Sequence, residues 1–211
     1  MTKTIIHDLQ WRYATKKFDP SRKLSENQIN ILKESFNLTA TSYGLQPIKL
    51  LIVEDAAIKK DLVPLTMHQK QVQDASHLLI FCVVTDIDAD YITHYFERVQ
   101  NTRGTSKTIL APFRDILIQE FEQKDTAAIF AWAKNQAYLA MGNLLTVCAN
   151  EKIDSCPIEG FEPEAYDTYL KLEEKGLRSV LVMPVGYRAD DDFFADMKKV
   201  RKDLNDTIIH L

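Results

Sequence analysis

Two basic segments, one near each end of the chain, could together bind a dianion. Arg12 and Lys16 stand four residues apart in the run Arg-Tyr-Ala-Thr-Lys-Lys-Phe. If that run is helical, the two side chains share a helix face and could clamp a doubly charged anion. Near the other end, residues 198–202 read Lys-Lys-Val-Arg-Lys. Taken alone, each segment can also be a set of solvated cations.

Two polar segments could contact the rest of such a ligand. Residues 40–47 (Ala-Thr-Ser-Tyr-Gly-Leu-Gln-Pro) lie between a predicted helix and a predicted strand. This loop offers hydroxyl and backbone N–H groups, and Gly44 in it is free to adopt a positive φ. Residues 156–161 (Cys-Pro-Ile-Glu-Gly-Phe) predict a tight turn that could place backbone amides beside a ring. The alternatives are a plain connecting loop and a simple turn.

Several common catalytic motifs do not occur in the sequence. The six glycines are too scattered for a GxGxxG turn or a Walker A loop. The five histidines show no metal-ligand spacing, so we expect no metal, and no serine stands in a GxSxG elbow. Cys82, Cys148 and Cys156 form no CxxC pair, and we expect buried or inert thiols in a reducing cytoplasm. The remaining pattern suits a phosphate-bearing organic cofactor that carries the chemistry.

The length allows one large domain or two small ones, and because no internal repeat or linker is evident we expect a single domain over residues 1–211. Hydrophobic residues make up 45% and charged residues 27% of the chain, which argues against disorder. The net charge of −4 gives no long-range attraction to nucleic acid or to an anionic membrane. No apolar run approaches the roughly 20 residues that a membrane span needs. His7 and Asp8 stand where a signal peptide needs an apolar core, so we expect a cytoplasmic protein.

The hydrophobic pattern predicts helices and strands in mixed order. Ser25 is expected to be an N-cap whose side chain accepts a hydrogen bond from Gln28. Pro184 suggests the edge or the end of a strand. Helices are predicted over residues 4–15, 25–38, 56–67, around 74–75, over most of 92–123, over 126–150, and over 164–175, where Gly176 ends the helix. Strands are predicted over residues 49–54, 78–85 and 179–186.

The helix predicted over residues 126–150 has little polar surface. Its apolar residues fall on nearly all sides of the helix and include Trp132, Ala137, Leu144 and Cys148. A helix that is apolar nearly all round is buried in a core or in a subunit interface. Because a monomer of this size rarely encloses so long a helix, a dimer is expected.

Seven segments, in this order and spacing, resemble the nitroreductase family, and in particular its oxygen-insensitive NAD(P)H nitroreductase and flavin reductase branch. The resemblance covers almost the whole chain. The segments read RYATKKFD, ATSYGLQP, DASH, WAKNQAYLAMGN, PIEGF, EKG followed by SVLVMPVGYR, and KKVR.

The resemblance implies an α+β nitroreductase fold, with a mixed central sheet flanked by helices. It also implies an intertwined homodimer with FMN at the subunit interface. Arg12 and Lys16, with Lys199 and Arg201, would meet the flavin phosphate and ribityl region. The other implied cofactor-binding residues are Tyr13 and Ala14, then Thr41, Ser42, Tyr43 and Gly44 from the partner subunit, and Pro157, Ile158, Glu159 and Gly160 beside the isoalloxazine ring.

The chain departs from well-known family members at two positions. His68 stands where many have an asparagine at the pyrimidine edge of the flavin. Gln71 stands where some have a lysine, and a neutral amide there stabilises the anionic hydroquinone less than a cation does. Residues 93–121 would cover the substrate face. Tyr95, Phe113 and Phe121 in that segment could stack on an acceptor or pack in the core.

The implied activity is reduction of nitroaromatic compounds, quinones or flavins by an FMN-dependent enzyme that uses NADH or NADPH. The family resemblance assigns the chemistry to FMN and to no catalytic side chain, and it implies ping-pong kinetics with a small-molecule electron acceptor. Two alternatives stay open. One is a dihydropteridine or enone reductase on the same fold, and the other is a flavin-binding protein without turnover.

Overall fold

The structure, a computed structural model, describes residues 2–211 and has an α+β arrangement. The helices are α1 (Thr2–Trp11), α2 (Glu26–Asn37), α3 (Ala56–Leu62), α4 (Gln71–Asp74), α5 (Ala89–Arg103), α6 (Lys107–Glu122), α7 (Thr126–Asn150), α8 (Pro163–Tyr169) and α9 (Leu204–Thr207). The strands are β1 (Ile48–Val53), β2 (His77–Val84), β3 (Asp154–Ser155) and β4 (Leu177–Gly186). Short 3₁₀ turns lie at Ser42–Gly44, Pro64–Thr66, Glu173–Lys175 and Phe193–Asp196.

The strands form one antiparallel sheet in the order β1-β2-β4-β3. In the register of β2 and β4, His77 lies opposite Val185. The α+β class is confirmed, but within residues 2–211 the expected mixed sheet is not seen. The parallel pairing in that part of the chain is a single bridge between Ala14 and Ser155. β1 lies at one edge of the sheet.

Both faces of the central strand β2 are buried. Successive side chains of a strand point to opposite faces. Leu79 and Phe81 belong to a core with α2, α5 and α7, whereas Leu78 and Ile80 belong to a second core that includes Tyr166 of α8. The prediction of a strand buried on both faces is therefore confirmed.

Helix α2 begins at the predicted N-cap. The backbone N–H of Gln28 donates to Ser25 Oγ at 3.3 Å, and the backbone N–H of Ser25 donates to Gln28 Oε1 at 3.0 Å. This is a complete capping box, which satisfies two backbone donors at the start of the helix.

Helix α1 is shorter than predicted. It ends at Trp11 instead of Thr15, and the chain then runs in an extended conformation. Ala14 bridges to Ser155, and Phe18 bridges to Arg188. The backbone groups of residues 12–18 are therefore satisfied by distant strands, not by a further helical turn.

Two other predicted helices are interrupted by residues that break helices. The helix predicted over residues 56–67 ends at Leu62, and Pro64 opens a 3₁₀ turn. The helical segment predicted over residues 92–123 is divided into α5 and α6 at Gly104, which has φ +70°.

The last predicted helix and strand also have different limits. Helix α8 ends at Tyr169, and a 3₁₀ turn follows that Gly176 closes with φ +63°, the left-handed conformation expected of it. Strand β4 begins at Leu177, and Pro184 lies near its end as expected. The strand itself is central in the sheet, however, so the edge alternative was wrong.

Helix α7 has the predicted limits, with one buried face and one exposed face. Ala133, Ala137 and Leu144 are fully buried against the sheet. Tyr138 and Leu139 are 39% and 56% exposed on the opposite side. In the described chain, apolar side chains on this side of the helix therefore remain largely exposed to solvent.

The three cysteines are buried and form no disulfide. Burial raises the pKa of the Cys82 and Cys148 thiols to about 12, so neither is a nucleophile at neutral pH. Across residues 2–211, no group of three or more potential ligand side chains is placed to hold a metal ion. No helix in that range is long and apolar enough to cross a membrane.

Lys59 in α3 is buried without a carboxylate partner within the described residues. Its side chain is 1% exposed, and Nζ donates to the carbonyl oxygens of Ala75 (2.5 Å) and Ser76 (3.0 Å). Burial, and then the nearby Lys23 ammonium, lower the pKa of Lys59 to about 8. Folding therefore makes the neutral amine of Lys59 more favourable than it is in the unfolded chain.

This lysine should make the protein more stable at alkaline pH than at neutral pH. Because the folded pKa (about 8) lies below the unfolded value of 10.5, the unfolded chain binds more protons between these values, and the stability contribution of Lys59 rises with pH across that window. We expect the free energy of unfolding of the wild type, minus that of Lys59→Met, to increase by up to about 3 kcal/mol from pH 7.5 to pH 10.5. Urea denaturation of both proteins at the two pH values measures this, and a constant difference would contradict it.

Candidate functional site

Three cations from the two ends of the chain meet without a counter-charge. The Arg12 guanidinium is half-buried, and within the described chain its Nε has no hydrogen-bond acceptor. Burial, followed by the nearby Arg201 charge, lowers the pKa of Arg12. Lys199 Nζ donates to the backbone carbonyls of Leu9 (3.1 Å) and Arg12. Among residues 2–211, none of these three cations forms an ion pair with a carboxylate.

The loop that carries Arg12 is held in place by strand pairing and by one carboxylate. The backbone N–H of Thr15 donates to the carbonyl of Ser155 at 3.2 Å, beside the bridge from Ala14. Asp192 Oδ2 accepts hydrogen bonds from Tyr13 Oη (2.8 Å) and from the backbone N–H of Lys16 (2.9 Å). Because the loop is extended, the sequence argument that Arg12 and Lys16 share a helix face is wrong.

Lys16 lies between the basic cluster and the turn at residues 157–160. Its side chain is exposed. Burial raises the pKa of Cys156, and the Lys16 charge is the largest influence that opposes this rise. Since Cys156 immediately precedes Pro157, the segment of Arg12 and Lys16 lies close to the predicted turn at residues 156–161.

The turn Pro157–Gly160 is anchored at several points. Ile158 forms two backbone hydrogen bonds with Val182 of β4, at 2.9 and 3.1 Å. Tyr138 Oη of α7 donates to Glu159 Oε1 at 2.6 Å, and this bond raises the pKa of Tyr138 to about 12. Within residues 2–211, the N–H groups of Glu159 and Gly160 have no backbone acceptor, so they are available to a ligand.

The loop that contains His68 lies against this turn. Gln69 Nε2 donates to the carbonyl of Gly160 at 3.0 Å. A Cβ added at Gly160 would lie 3.1 Å from Met67 Sδ, so the two loops are in close contact. His68 is exposed with φ +56°, and Gln71 begins α4. The structure therefore brings the His68 loop next to the turn Pro157–Gly160.

Residues 41–44 do not adjoin the basic cluster of the same chain. The backbone N–H of Ser42 donates to Gln136 Oε1 at 2.8 Å, whereas Arg12 lies near Cys148 on the same helix. These two positions of α7 are about 18 Å apart along the helix axis. Thr41 closes the turn by accepting from the backbone N–H of Gly44 at 2.9 Å.

Tyr43 belongs to an aromatic cluster on this loop. Its ring stacks on Trp132, with centroids 6.3 Å apart and planes at 24°, and it meets the edges of Phe113 and Phe121. Phe121 is buried, whereas Phe113 is 48% exposed. Of the proposed stacking residues, Phe121 therefore packs in the core and Phe113 remains accessible.

Tyr95, the third proposed stacking residue, lies over the same loop. A Cβ added at Gly44 would come within 2.5 Å of Tyr95 Oη. Gly44 also has φ +74°, so a larger residue there would have to displace the Tyr95 hydroxyl and adopt a backbone conformation that favours glycine. The expected freedom of Gly44 to adopt a positive φ is confirmed.

Four residues that position the site were not predicted as site residues from the sequence. They are Asp192, Gln69, Tyr138 and Gln136, whose contacts are given above. Gln136 is the one with a sequence signal, because it is a polar residue on the otherwise apolar face of α7. Asp192 follows two other aspartates, and nothing in the pattern distinguishes it from them.

The basic cluster fits a phosphate monoester such as that of FMN. A phosphate monoester carries close to two negative charges, and the cluster supplies three cations with a buried, unsatisfied Arg12 Nε. An arginine can form bidentate bonds to phosphate, and a lysine provides a point charge. The neighbouring turn, with two available amides, offers a second contact surface for a larger organic ligand.

Comparison with known proteins identifies the family. The sequence profile described as "Nitroreductase family" matches residues 9–187. The chain is 34% identical over 215 residues to the major NAD(P)H-flavin oxidoreductase of Aliivibrio fischeri, covering 99% of both chains. A nitroreductase-like protein of Streptococcus mutans has a TM-score of 0.84 at 24% identity, with full coverage of both chains. A candidate nitroreductase of Exiguobacterium sibiricum, solved in complex with FMN, has a TM-score of 0.81 at 19% identity over 98% of this chain and 97% of that one. The chain belongs to the nitroreductase family.

Proposed function

We propose that the protein is an FMN-dependent oxidoreductase that uses NADH or NADPH to reduce nitroaromatic compounds, quinones or flavins. The observation that carries the proposal is the cluster of Arg12, Lys199 and Arg201, which lacks a carboxylate partner within residues 2–211 and includes a buried, unsatisfied guanidinium nitrogen. The family membership and the name of the Aliivibrio fischeri relative support a flavin and a nicotinamide as the redox partners.

The two parts of the site hold the two ends of FMN. Lys16 joins Arg12, Lys199 and Arg201 at the phosphate and ribityl region, and the loop backbone at Tyr13 and Ala14 lies beside them. The turn Pro157–Gly160 would lie beside the ring of FMN, and His68 and Gln71 would be at its pyrimidine edge. Thr41, Ser42, Tyr43 and Gly44 come from the partner subunit, because their own chain holds them far from its basic cluster.

The protein's role in the reaction is to position the cofactor and the substrates. When bound, FMN supplies two-electron hydride transfer between the nicotinamide and the acceptor. Tyr138 and Gln69 fix the turn at Glu159 and Gly160, so that its amides keep a constant orientation. Donor and acceptor occupy one slot in turn, and this gives ping-pong kinetics. The neutral Gln71 supplies less stabilisation of a reduced, anionic flavin than a lysine would.

The functional unit in this proposal is an intertwined homodimer, with each chain a single domain over residues 1–211. The exposed apolar face of α7, with Tyr138 and Leu139, is one surface that a second copy would cover. The other is the tail after Met197, where Val200 and Ile209 are 84% and 85% exposed. Apolar side chains this exposed on an extended tail are better accommodated on a second chain than in water.

The edge strand β1 offers a place for the partner's tail. A groove of about 410 Å³ runs beside it, with the basic residues Lys33, Lys49 and Arg98 in its lining and no acidic residue. The tail ends in Ile-Ile-His-Leu, and its residues 203–211 include Asp203 and Asp206 but no lysine or arginine, so it matches the groove in both apolarity and charge. A partner tail added parallel to β1 would also produce the mixed sheet that a single chain lacks.

The cysteines and the net charge support a proposal for the cellular location and the partners of the enzyme. Three cysteines without a disulfide are typical of a reducing compartment, and we place the protein in the cytoplasm. With a net charge of −4, it needs neither nucleic acid nor a membrane as a partner. Its partners are its own second copy and a small-molecule electron acceptor.

The visible absorption spectrum of the purified protein tests the proposed function. We expect flavin bands that bleach on anaerobic addition of NADH or NADPH and return when a quinone or a nitroaromatic compound is added. Return of the colour with an enone or a dihydropteridine but with none of these acceptors would favour the alternative reductases. Colour without bleaching would indicate a flavin-binding protein without turnover, and protein that stays colourless with added FMN would refute the proposal.

A further inference from the structure

The carboxylate of Asp192 lies at the junction between the two halves of the basic cluster. Residues 187–189 pair with residues 17–19: the N–H of Asp19 donates to the carbonyl of Tyr187, and the N–H of Ala189 donates to that of Lys17, both at 2.9 Å. Asp192 lies three residues after Ala189. The chain then passes through a 3₁₀ turn into the tail that carries Lys199 and Arg201.

Asp192 is buried and fully engaged. It is 4% exposed, and its Oδ2 accepts from Tyr13 Oη (2.8 Å) and from the backbone N–H groups of Lys16 (2.9 Å) and Lys17 (3.0 Å). Its Oδ1 accepts from the backbone N–H of Phe194 at 3.2 Å, at the start of the tail. One side chain thus ties the loop of Arg12 and Lys16 to the segment that leads to the other two cations.

A carboxylate at this place opposes anion binding by its charge. Burial alone would raise the pKa of Asp192, but the hydrogen bonds from Tyr13, Lys17, Lys16 and Phe194 outweigh it and lower the pKa. The group is therefore ionised at neutral pH, beside a site that attracts phosphate. If Asp192 promotes phosphate binding, the binding free energy gained by fixing the loop must exceed the electrostatic cost of the negative charge.

We propose that Asp192 is a positioning residue for the phosphate end of the cofactor, which it serves by fixing the loop 12–17 against the tail that carries Lys199 and Arg201. The inference rests on the proposed function and adds a residue that contacts no cofactor atom. Tyr13 acts in the same unit, since its hydroxyl donates a hydrogen bond to Asp192 Oδ2 at 2.8 Å.

Charge and geometry predict opposite effects of removing this carboxylate. Asp192→Asn has nearly the same shape but loses the charge, and its amide cannot accept from all the donors that surround it. Loss of a negative charge alone would tighten FMN binding, whereas loss of the loop's position weakens it. We expect the FMN dissociation constant to rise roughly 10-fold or more, and that of Tyr13→Phe to rise by a smaller factor.

Riboflavin, which lacks the phosphate, separates positioning from general damage. In Asp192→Asn we expect the dissociation constant of FMN to rise while that of riboflavin stays the same, both measured by flavin fluorescence quenching. The ratio of the riboflavin constant to the FMN constant should therefore fall by about the factor by which FMN affinity is lost. A misfolded variant would lose both ligands equally. Asp190→Asn is the matched control, because it removes the same charge from an exposed neighbour, and it should bind FMN as the wild type does or slightly more tightly.

The outcomes distinguish this inference from the proposed function. If the wild type binds FMN and Asp192→Asn binds it equally or more tightly, the positioning role is refuted while the proposed function stands. Equal loss of riboflavin and FMN binding would also refute it. If the wild type itself binds no FMN, the proposed function fails and this inference fails with it.

Discussion

Arg12→Ala should weaken FMN binding by roughly 100-fold, because it removes a bidentate, charge-assisted contact to the phosphate. The Arg12 guanidinium is half-buried with an unsatisfied Nε, and burial and Arg201 both disfavour its charge in the absence of a ligand. The apoprotein therefore bears an electrostatic cost that phosphate relieves. Equilibrium dialysis or fluorescence titration of apoprotein with FMN measures the change.

Arg12→Ala should lower FMN affinity without a comparable change in the free energy of unfolding. Loss of the uncompensated charge offsets loss of the arginine stem's packing, so the apoprotein of Arg12→Ala should unfold within about 1 kcal/mol of the wild type. Lys202→Ala is the control, since it removes an exposed cation of the same tail and should change FMN affinity less than threefold. Wild-type affinity in Arg12→Ala would show that the cluster binds no phosphate.

Elements that local chemistry determines could be predicted from the sequence. Ser25 and Gln28 are three residues apart, and a capping box needs nothing more distant than that. The limits of α7 agree with the prediction, because a long apolar run begins after Asp125, whose side chain caps the helix. Strand β2 is apolar at every position after His77, so the sequence alone predicted that both of its faces are buried.

The path of residues 12–18 could not be predicted, because distant partners determine it. Ser155, Arg188 and Asp192 satisfy its backbone groups, and all three lie far away in the sequence. Local spacing of Arg12 and Lys16 suggested a helix face instead. The resemblance to the family assigns both residues to the phosphate end of a flavin without using local geometry, since it rests on the order of whole segments, and that assignment stays a prediction.

Pro184 shows how tertiary context changes the meaning of a residue. In a strand, the nitrogen and the carbonyl of one residue point to the same neighbour. The Pro184 carbonyl accepts from the N–H of Cys156, so its nitrogen also faces the β3 side. Strand β3 ends at Ser155, so the regular hydrogen-bond ladder between β3 and β4 stops there. The N–H group that Pro184 lacks therefore costs little stability. The proline is thus tolerated in a central strand, which its sequence alone does not reveal.

Removal of residues 203–211 should convert the proposed dimer into a monomer. The deletion leaves Lys199 and Arg201 in place but removes Leu204 and Ile209, which are 73% and 85% exposed in the single chain. If these side chains are buried on a partner, their loss removes several kcal/mol of apolar burial at about 25 cal/mol per Å². Light scattering should then give half the wild-type mass, and FMN content should fall, because residues 41–44 of the partner no longer complete the site.

Charge reversal in the groove tests the same contact without shortening the chain. Lys49→Glu places a negative charge in the groove where we expect the partner's tail, whose residues 203–211 are acidic, so it should raise the dimer dissociation constant by about tenfold or more. Lys60→Glu makes the same change on the exposed side of α3, away from the groove, and should leave the dimer intact. A dimer that survives both the deletion and Lys49→Glu must be held by α7 alone, and the tail would then have no part in the sheet of the second copy.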